Sequence, residues 1–158
     1  MQTTDVTLYS PRVLVVGCGG LGGIVTASLL ESPASTNDGA ITALTTNEGI
    51  AAAVNEQGFR VRGVDGAKTV VGRAITKVPE GSAPFDWIIL ATQPTQVEDA
   101  ARGILPFLAA DGAVVCLQNG LCEERLAPIV GKDRVVGAVV SWGAAMTEPG
   151  LYDRTSSG

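Results

Sequence analysis

The sequence contains no histidine. Histidine is the side chain best suited to proton transfer near neutral pH, so its absence excludes histidine-based acid–base catalysis, serine–histidine triads and histidine-ligated zinc. Charged residues are also sparse, at 17% of the chain. The sequence therefore offers few side chains for proton chemistry near pH 7 and no metal site.

An excess of positive charge is missing as well. The formal net charge is −5, and no basic stripe is present that could neutralise phosphodiester charge, so we expect no nucleic-acid partner. The acidity does not exclude a bound nucleotide. Backbone N–H groups at a helix N-terminus hold a pyrophosphate without a basic surface.

Long apolar runs and paired cysteines are absent too. Although 46% of the residues are hydrophobic, no run approaches the roughly 18 residues of a membrane span, so we expect no membrane partner.

The three cysteines form no CxxC pair, which fits reduced thiols in the cytoplasm. No basic segment precedes an apolar stretch at the start, so no secretory signal is expected. The length fits one domain over residues 1–158.

Short apolar runs alternate with helix-length segments. The predicted strands cover 12–17, 40–45, 85–92, 113–118 and 134–141, and the predicted helices cover 21–30, 48–57, 96–108 and 122–130. This alternation predicts a Rossmann-type, doubly wound α/β fold, with a mostly parallel sheet and helices on both faces. We expect small extra strands added to that sheet over 59–78, a surface loop over 32–39, and a loop with one short strand over 143–158.

A glycine-rich turn stands between the first strand and the first helix. It has the spacing G-x-G-x-x-G, which alone is weak evidence in a chain with 20 glycines. Its position gives it weight, since Gly17 can form the tight turn, Gly19 can admit a pyrophosphate and Gly22 can let the helix pack closely. The alternative is a turn that binds nothing. The predicted dinucleotide contacts are Gly17, Cys18, Gly19, Gly20, Leu21 and Gly22.

The end of the second strand lacks the residues that usually select the dinucleotide. An acid there binds the adenosine ribose of NAD, and a nearby arginine accommodates the 2′-phosphate of NADP. This chain has Thr46 and Asn47, which can hydrogen-bond either group, followed by Glu48, which lies late for the ribose and would repel a phosphate. The alternative for Asn47 is a plain helix cap.

Two later strands end in polar turns at the sheet edge where open α/β folds bind ligands. The first turn, residues 91–93, is followed by Pro94, which alternatively only begins the next helix. The second contains Gln118 and Asn119, whose amides can bond a carboxamide or a substrate carbonyl. The alternative for this second element is a simple Asn-Gly turn.

No catalytic residue is predicted in this chain. Cys116 lies in an apolar run, where cysteine is usually an inert small hydrophobe. Cys18 lies beside a helix N-terminus, which can lower the pKa of a thiol, but this position usually only has to fit the turn. The lysines, Lys68, Lys77 and Lys132, are not expected on a turn that faces a cofactor, so no general acid is apparent.

The order of these motifs resembles that of the ketopantoate reductases (2-dehydropantoate 2-reductases) over essentially the whole chain. The matching pieces are 13–22, 55–61, 86–92, Gln96 with Val97, 118–121 and 147–150. The Gln-Asn-Gly element in 118–121 is the piece that a generic Rossmann enzyme lacks.

The resemblance implies NADPH-dependent reduction of a small 2-oxo acid to a 2-hydroxy acid, a reaction of pantothenate biosynthesis. It also implies a second, helical domain that carries a catalytic lysine and that this chain lacks, as in a truncated or split protein. We therefore expect these 158 residues to bind nucleotide without turning over substrate alone. The further contacts predicted for the cofactor are Thr46, Asn47, Ala91, Thr92, Gln93, Gln96 and Asn119, with Asn119 also contacting substrate.

Two departures from the family pattern concern charge. Family members commonly have an arginine at the position of Asn47 and a lysine at the position of Gln93. Both replacements remove a positive charge, so the cofactor can be NAD or NADP, and the identity of the substrate is left open as well.

Two other functions are compatible with the sequence: the nucleotide domain of an opine or other 2-hydroxy acid dehydrogenase, and a nucleotide-sensing module without chemistry. A homodimer is left open.

Overall fold

The computed structural model describes residues 10–32 and 40–158, and of the loop predicted over 32–39 only Ser32 lies among the described residues. The chain forms ten strands and four α-helices in its described part. In chain order they are β1 Val13–Val16, α1 Gly20–Leu30, β2 Ile41–Leu44, α2 Glu48–Gln57, β3 Phe59–Gly63, β4 Lys68–Val70, β5 Ala74–Ile75, β6 Phe85–Leu90, α3 Val97–Ile104, β7 Leu108–Cys116, α4 Cys122–Val130, β8 Val135–Gly137, β9 Ala144–Glu148 and β10 Leu151–Arg154.

Six strands form a parallel sheet in the order β5-β2-β1-β6-β7-β8. Successive side chains of a strand point to opposite faces. Accordingly, Leu14 and Val16 of β1 pack with α3 and α4 on one face, whereas Val13 and Val15 pack with Leu29 of α1 on the other. Helices therefore cover both faces, and the predicted Rossmann-type, doubly wound fold is confirmed.

The ends of three predicted elements were wrong. The strand predicted over 113–118 is the longer strand β7, which covers Leu108–Cys116. The helix predicted over 96–108 stops at Ile104 and gives way to a 3-10 turn, Leu105–Phe107, because Pro106 cannot continue the α-helical hydrogen bonding. The final strand predicted over 134–141 is only the three-residue edge strand β8, and Val139 beyond it is 88% exposed. None of the described helices has the length and apolar character of a membrane span.

A second, four-stranded sheet has the order β4-β3-β10-β9. The expectation of extra strands added to the main sheet over 59–78 was therefore wrong for β3 and β4, and only β5 joins the main sheet. The expectation of a loop with one short strand over 143–158 was also wrong, since β9 and β10 form a hairpin. Its tight turn places Pro149 before Gly150, whose φ of 74° suits glycine.

Helix α1 is packed between the two sheets. A Cβ added at Gly23 would lie 2.2 Å from the ring of Tyr152, and one added at Gly20 would lie 2.8 Å from the backbone of Ala145. Tyr152 of β10 is fully buried and stacks on Phe59 of β3, with ring centroids 6.1 Å apart. The second sheet thus supports the helix that begins at the glycine turn.

Candidate functional site

A cavity of about 700 Å³ opens at the carboxyl edge of the parallel sheet. Its volume lies in the range of small-molecule sites. It extends over β1 and β6, where the chain reverses its winding direction and where open α/β sheets bind ligands. The lining residues follow β1, β2, β5 and β6 or belong to the segment around α3, and those used below are Gly17, Gly19, Thr46, Lys77, Ala91, Thr92, Gln93, Gln96 and Asp99.

The three glycines of the G-x-G-x-x-G motif differ in whether the fold leaves room for a side chain. Gly17 has a φ of 97°, and a Cβ there would lie 2.9 Å from the carbonyl oxygen of Ala91. A Cβ at Gly22 would lie 1.7 Å from the carbonyl oxygen of Gly17. At Gly19, by contrast, a Cβ meets no atom of the described chain within 4 Å. Gly17 and Gly22 are therefore required by the fold, whereas Gly19 leaves open space in the cavity.

The start of α1 is available to an anion. No side chain of the described residues caps this helix after Gly19, so its first backbone N–H groups lack a side-chain acceptor. Unpaired N–H groups and the helix dipole together attract negative charge. An uncapped helix beside an open glycine position suits the pyrophosphate of a dinucleotide.

The other residues of the predicted turn do not line the cavity. Cys18 is buried on the far side, with its Sγ atom 3.1 Å from the hydroxyl of Tyr152. Burial raises the pKa of the Cys18 thiol, opposite to the lowering that a helix N-terminus can produce. Gly20, Leu21 and Gly22 lie in α1, so these positions can reach a ligand only through the backbone.

At the end of β2, Thr46 and Asn47 separate. Thr46 is exposed and lines the cavity. Asn47 caps α2 instead, since its Oδ1 atom accepts a hydrogen bond from the backbone N–H of Ile50 at 3.1 Å. The cap that the sequence suggested for Asn47 is confirmed, and the residue is not part of the cavity lining.

The turn after β6 lies over the middle of the cavity. Ala91, Thr92 and Gln93 line it, and so does Gln96 one helical turn later. Pro94 begins the 3-10 turn Pro94–Gln96 and is not in the lining, so its role is the helix start that was the alternative.

Gln118 links the turn after β7 to the turn after β6 and does not face the cavity. Its Nε2 atom donates to the carbonyl oxygen of Thr92 at 2.9 Å, and its Oε1 atom accepts from the Sγ atom of Cys116 at 2.9 Å. The side chain is buried, with 6% relative exposure. The expectation that its amide is free to bond a ligand was therefore wrong, because both ends of the amide have partners.

Asn119 is exposed at the carboxyl end of β7 and does not line the cavity. It stands beside Gly120, which has a φ of 108°, and before Leu121, which is 72% exposed. Its place next to the Thr92 turn follows from the parallel pairing of β6 with β7. Its contacts with cofactor and substrate remain predictions.

Lys77 lines the cavity but is not among the residues predicted for it. It follows β5, which pairs in parallel with β2, so both strands end at the cavity edge. The expectation that none of the three lysines faces the cofactor turns was wrong for Lys77. The strand that positions Lys77 is Ala74–Ile75, which is too short to show a period and falls among the small extra strands predicted over 59–78.

A second depression, of about 740 Å³, lies on the four-stranded sheet. Its charged side chains are paired with one another: Arg62 with Asp153, and Arg154 with Asp65 of the adjoining turn. The Arg62 guanidinium holds the pKa of Asp153 below its usual value. This depression is open and its charges already have partners, so it is a weaker candidate than the cavity at the parallel sheet.

Comparison with known proteins gives a consistent result. A family model described as ketopantoate reductase PanE/ApbA matches residues 13–158. The 2-dehydropantoate 2-reductase from Porphyromonas gingivalis W83 superposes with a TM-score of 0.81 and 22% identity over 95% of this chain and 53% of that chain. The enzyme from Geobacter metallireducens GS-15 gives 0.76 and 25% over 93% and 47%.

A dehydrogenase named for a different substrate has the same fold. The structure of D-mandelate dehydrogenase with NADH and anilino(oxo)acetate superposes with a TM-score of 0.76 and 20% identity over 92% of this chain and 46% of that chain. This chain spans about half the length of the solved structures that it matches. No curated protein sequence matches it.

Proposed function

Since this chain belongs to the ketopantoate reductase PanE/ApbA family, we propose that it is the dinucleotide-binding half of an oxidoreductase that reduces a small 2-oxo acid to a 2-hydroxy acid with NADPH. The observation that carries the proposal is the open space at Gly19, in a cavity at the reversal point of a parallel sheet and beside an uncapped helix N-terminus. This combination fits the pyrophosphate of a dinucleotide.

We assign three parts of the dinucleotide to different residues around the cavity. The pyrophosphate lies over Gly19 and accepts hydrogen bonds from the first N–H groups of α1. The adenosine ribose lies toward Thr46, because the end of the second strand is the usual ribose position. The nicotinamide lies toward Thr92 and Asn119, on the β6–β7 side. The bound dinucleotide supplies the hydride, and the protein supplies its position and surroundings.

The proton for the reduced carbonyl has no evident source beside the nicotinamide in this chain. The ionisable side chains that line the cavity in its described part are Lys77 and Asp99. Lys77 follows β5, which is separated from β7 by four strand spacings, about 19 Å. Asp99 lies on α3, with its carboxylate 3.5 Å from the Arg102 guanidinium and largely exposed. We infer that a second domain supplies the general acid and that these residues alone bind nucleotide without turnover.

Calorimetric titration with NADP, NAD and their reduced forms tests the binding proposal. We expect binding, and we expect Gly19→Ala to weaken it at least tenfold, because the new methyl group would occupy the space that the pyrophosphate needs. Gly19 has an extended backbone conformation, with a φ of −76°, that alanine also adopts. The thermal unfolding midpoint of Gly19→Ala should therefore match that of the wild type.

One result would contradict this function, and another would contradict the inferred inactivity of the isolated chain. If none of the four dinucleotides binds to a folded wild-type chain, a structural module is the better account. If the isolated chain reduces ketopantoate with NADPH at a measurable rate, the inference that it is inactive alone is wrong. If the chain binds a dinucleotide without turnover, a nucleotide-sensing module is the alternative function. If adding a helical second domain restores reduction of the 2-oxo acid, that alternative is wrong.

A second candidate is the nucleotide domain of an NAD-linked opine dehydrogenase or 2-hydroxy acid dehydrogenase. It is favoured by the lack of a positively charged residue at Thr46 and Asn47, after β2, and by the fold shared with D-mandelate dehydrogenase in complex with NADH. The same titrations discriminate between the candidates, since tighter binding of NAD than of NADP supports this one.

A further inference from the structure

The short edge strand β5 brings a lysine beside the predicted ribose position. In the parallel pairing of β2 with β5, Ala43 is opposite Ala74 and Leu44 is opposite Ile75. The backbone N–H of Thr45 donates to the carbonyl oxygen of Ile75 at 3.0 Å, so the strands are still paired where they end. Continuing this register by two residues places Lys77 beside Thr46, about one strand spacing of 4.8 Å away at the backbone.

Lys77 is the cation of this cavity, and it is not committed elsewhere. Among the side chains lining the cavity in the described ranges, Lys77 alone carries a positive charge. Within residues 10–32 and 40–158 it forms no hydrogen bond or ion pair. Lys68, by contrast, is paired with Glu31. An exposed, unpaired ammonium beside a ligand cavity is free to bind an anionic group of the ligand.

Among the described residues that line the cavity, one carries a negative charge. Asp99 lines the same cavity but belongs to α3 and lies 3.5 Å from Arg102. Glu48 lies in the first turn of α2, where a carboxylate favours the positive end of that helix dipole, and it is not in the cavity lining. The end of β2 itself carries the neutral Thr46, which neither repels a phosphate nor attracts one strongly.

We propose that Lys77 binds the 2′-phosphate of the adenosine ribose and so gives this chain a preference for NADP over NAD. The inference rests on the proposed function, since it assumes a dinucleotide in the cavity. The cation comes from the edge strand β5 and not from the end of β2, where Asn47 is used as a helix cap. The flexible four-carbon stem of lysine spans the distance from β5 to a phosphate beside Thr46.

The test compares Lys77→Ala with Lys132→Ala in titrations with NADP and NAD. Lys132 lies in the 3-10 segment before β8, outside the cavity lining, so its removal deletes the same charge elsewhere. We expect Lys77→Ala to weaken NADP binding about tenfold to a hundredfold, as the loss of a charge-assisted hydrogen bond implies, and to change NAD binding less than twofold. Lys132→Ala should leave both affinities unchanged, and Lys77→Arg should retain the preference.

The salt dependence provides a second readout. Raising the ionic strength should weaken NADP binding to the wild type more than to Lys77→Ala, because screening acts on the phosphate–ammonium pair. If the wild type binds both dinucleotides and Lys77→Ala leaves the ratio of the two affinities unchanged, Lys77 does not bind the 2′-phosphate, and the proposed function stays intact. If the wild type binds neither dinucleotide, both the role of Lys77 and the proposed function are wrong. Equal weakening of NADP and NAD by Lys77→Ala also contradicts a contact with the 2′-phosphate.

Discussion

The two sheets of this molecule differ in how they serve the glycine turn. The parallel sheet forms the turn itself and the cavity in front of it, at the carboxyl ends of β1, β2, β5 and β6. The four-stranded sheet does not reach the cavity lining but packs on the opposite side of α1, through Tyr152 and Ala145. The comparison shows that one sheet supplies ligand contacts while the other holds the contacting helix in place.

The glycines at the start of α1 divide in the same way. Gly17 and Gly22 pack against the turn after β6 and against each other, as the G-x-G-x-x-G spacing predicts. Gly20 and Gly23 are not among the three glycines of that motif. They have no side chain because β9 packs directly on Gly20 and β10 packs directly on Gly23. A helix with glycines on both sides can approach two sheets at once.

The largest effect on this comparison is expected from Gly23→Ala. The added methyl group would lie 2.2 Å from the buried ring of Tyr152, so the ring and its sheet must shift. Overpacking of this kind costs about 1 to 3 kcal/mol of unfolding free energy, and we expect a value near the upper end. Chemical denaturation followed by circular dichroism measures it.

A double-mutant cycle gives the control for this prediction. If Tyr152 is the obstacle, Gly23→Ala should cost much less in a Tyr152→Leu background, where the outer part of the ring is gone. Equal costs in both backgrounds would show that the four-stranded sheet does not press on α1 at this point, and the proposed division between the sheets would then be wrong.

An intermediate effect is expected from Asn47→Ala, at the end of β2 in the parallel sheet. The variant loses the hydrogen bond from Oδ1 to the N–H of Ile50, so α2 should be destabilised by about 1 kcal/mol. Because Asn47 lies outside the cavity lining, the ratio of NADP to NAD affinity should stay within twofold of the wild type. Thermal unfolding and paired titrations measure the two quantities.

Asn47→Ser serves as the matched control, since serine also caps helices. It should recover most of the lost stability. A change in the cofactor ratio by either variant, with stability unchanged, would reassign Asn47 from the helix to the ligand.

The smallest effect at neutral pH is expected from Tyr152→Phe, which keeps the ring and removes the hydroxyl that contacts Cys18. Burial raises the pKa of Tyr152 and of Cys18 above their ordinary values of 10.0 and 9.0. The folded chain therefore retains protons that the unfolded chain releases. Stability from these groups is fully present below pH 9 and is lost as the pH rises past these values, by up to about 1.4 kcal/mol per pH unit for each group.

Unfolding free energies at pH 7, 9 and 10.5 test this dependence. Tyr152→Phe should lower stability by less than about 1 kcal/mol at pH 7 and should reduce the loss between pH 9 and pH 10.5. Parallel pH profiles for the variant and the wild type would show that the Tyr152 hydroxyl is not buried in the folded state, and hence that β10 does not seal α1.

The parallel sheet was largely predictable because its strands are local apolar runs. β1 is buried along its whole length and β6 is buried at Phe85, Ile88 and Leu90. Helix α2 begins after Asn47 and ends before Gly58, as the capping preferences of these residues indicate. The four-stranded sheet was not predictable in the same way. β3 pairs locally with β4, and β9 pairs locally with β10, but the sheet forms only where β3 pairs with the distant strand β10, so no local pattern shows that Tyr152 is a core residue.

The site was predicted in part for a similar reason. Turns that directly follow long strands were assigned to the correct edge, as Gly19 and Thr92 show. Lys77 was missed because β5 has two residues, too few for a period, and only its pairing with β2 places it at the cavity. The amide of Gln118 was expected to be able to bond a ligand, because its sequence position cannot reveal that Thr92 and Cys116 are its hydrogen-bond partners.

The sequence by itself determined the parallel sheet, the position of the glycine turn and the resemblance to the ketopantoate reductases, because each of these depends on residues close together in the chain. Only the tertiary structure decided which side chains share the cavity and which are used by the fold. Pairing of β5 with β2 brought Lys77 to Thr46, packing of β10 on α1 buried Cys18, and the cap of α2 engaged Asn47. These outcomes depend on contacts between distant segments, which local patterns of hydrophobicity do not encode.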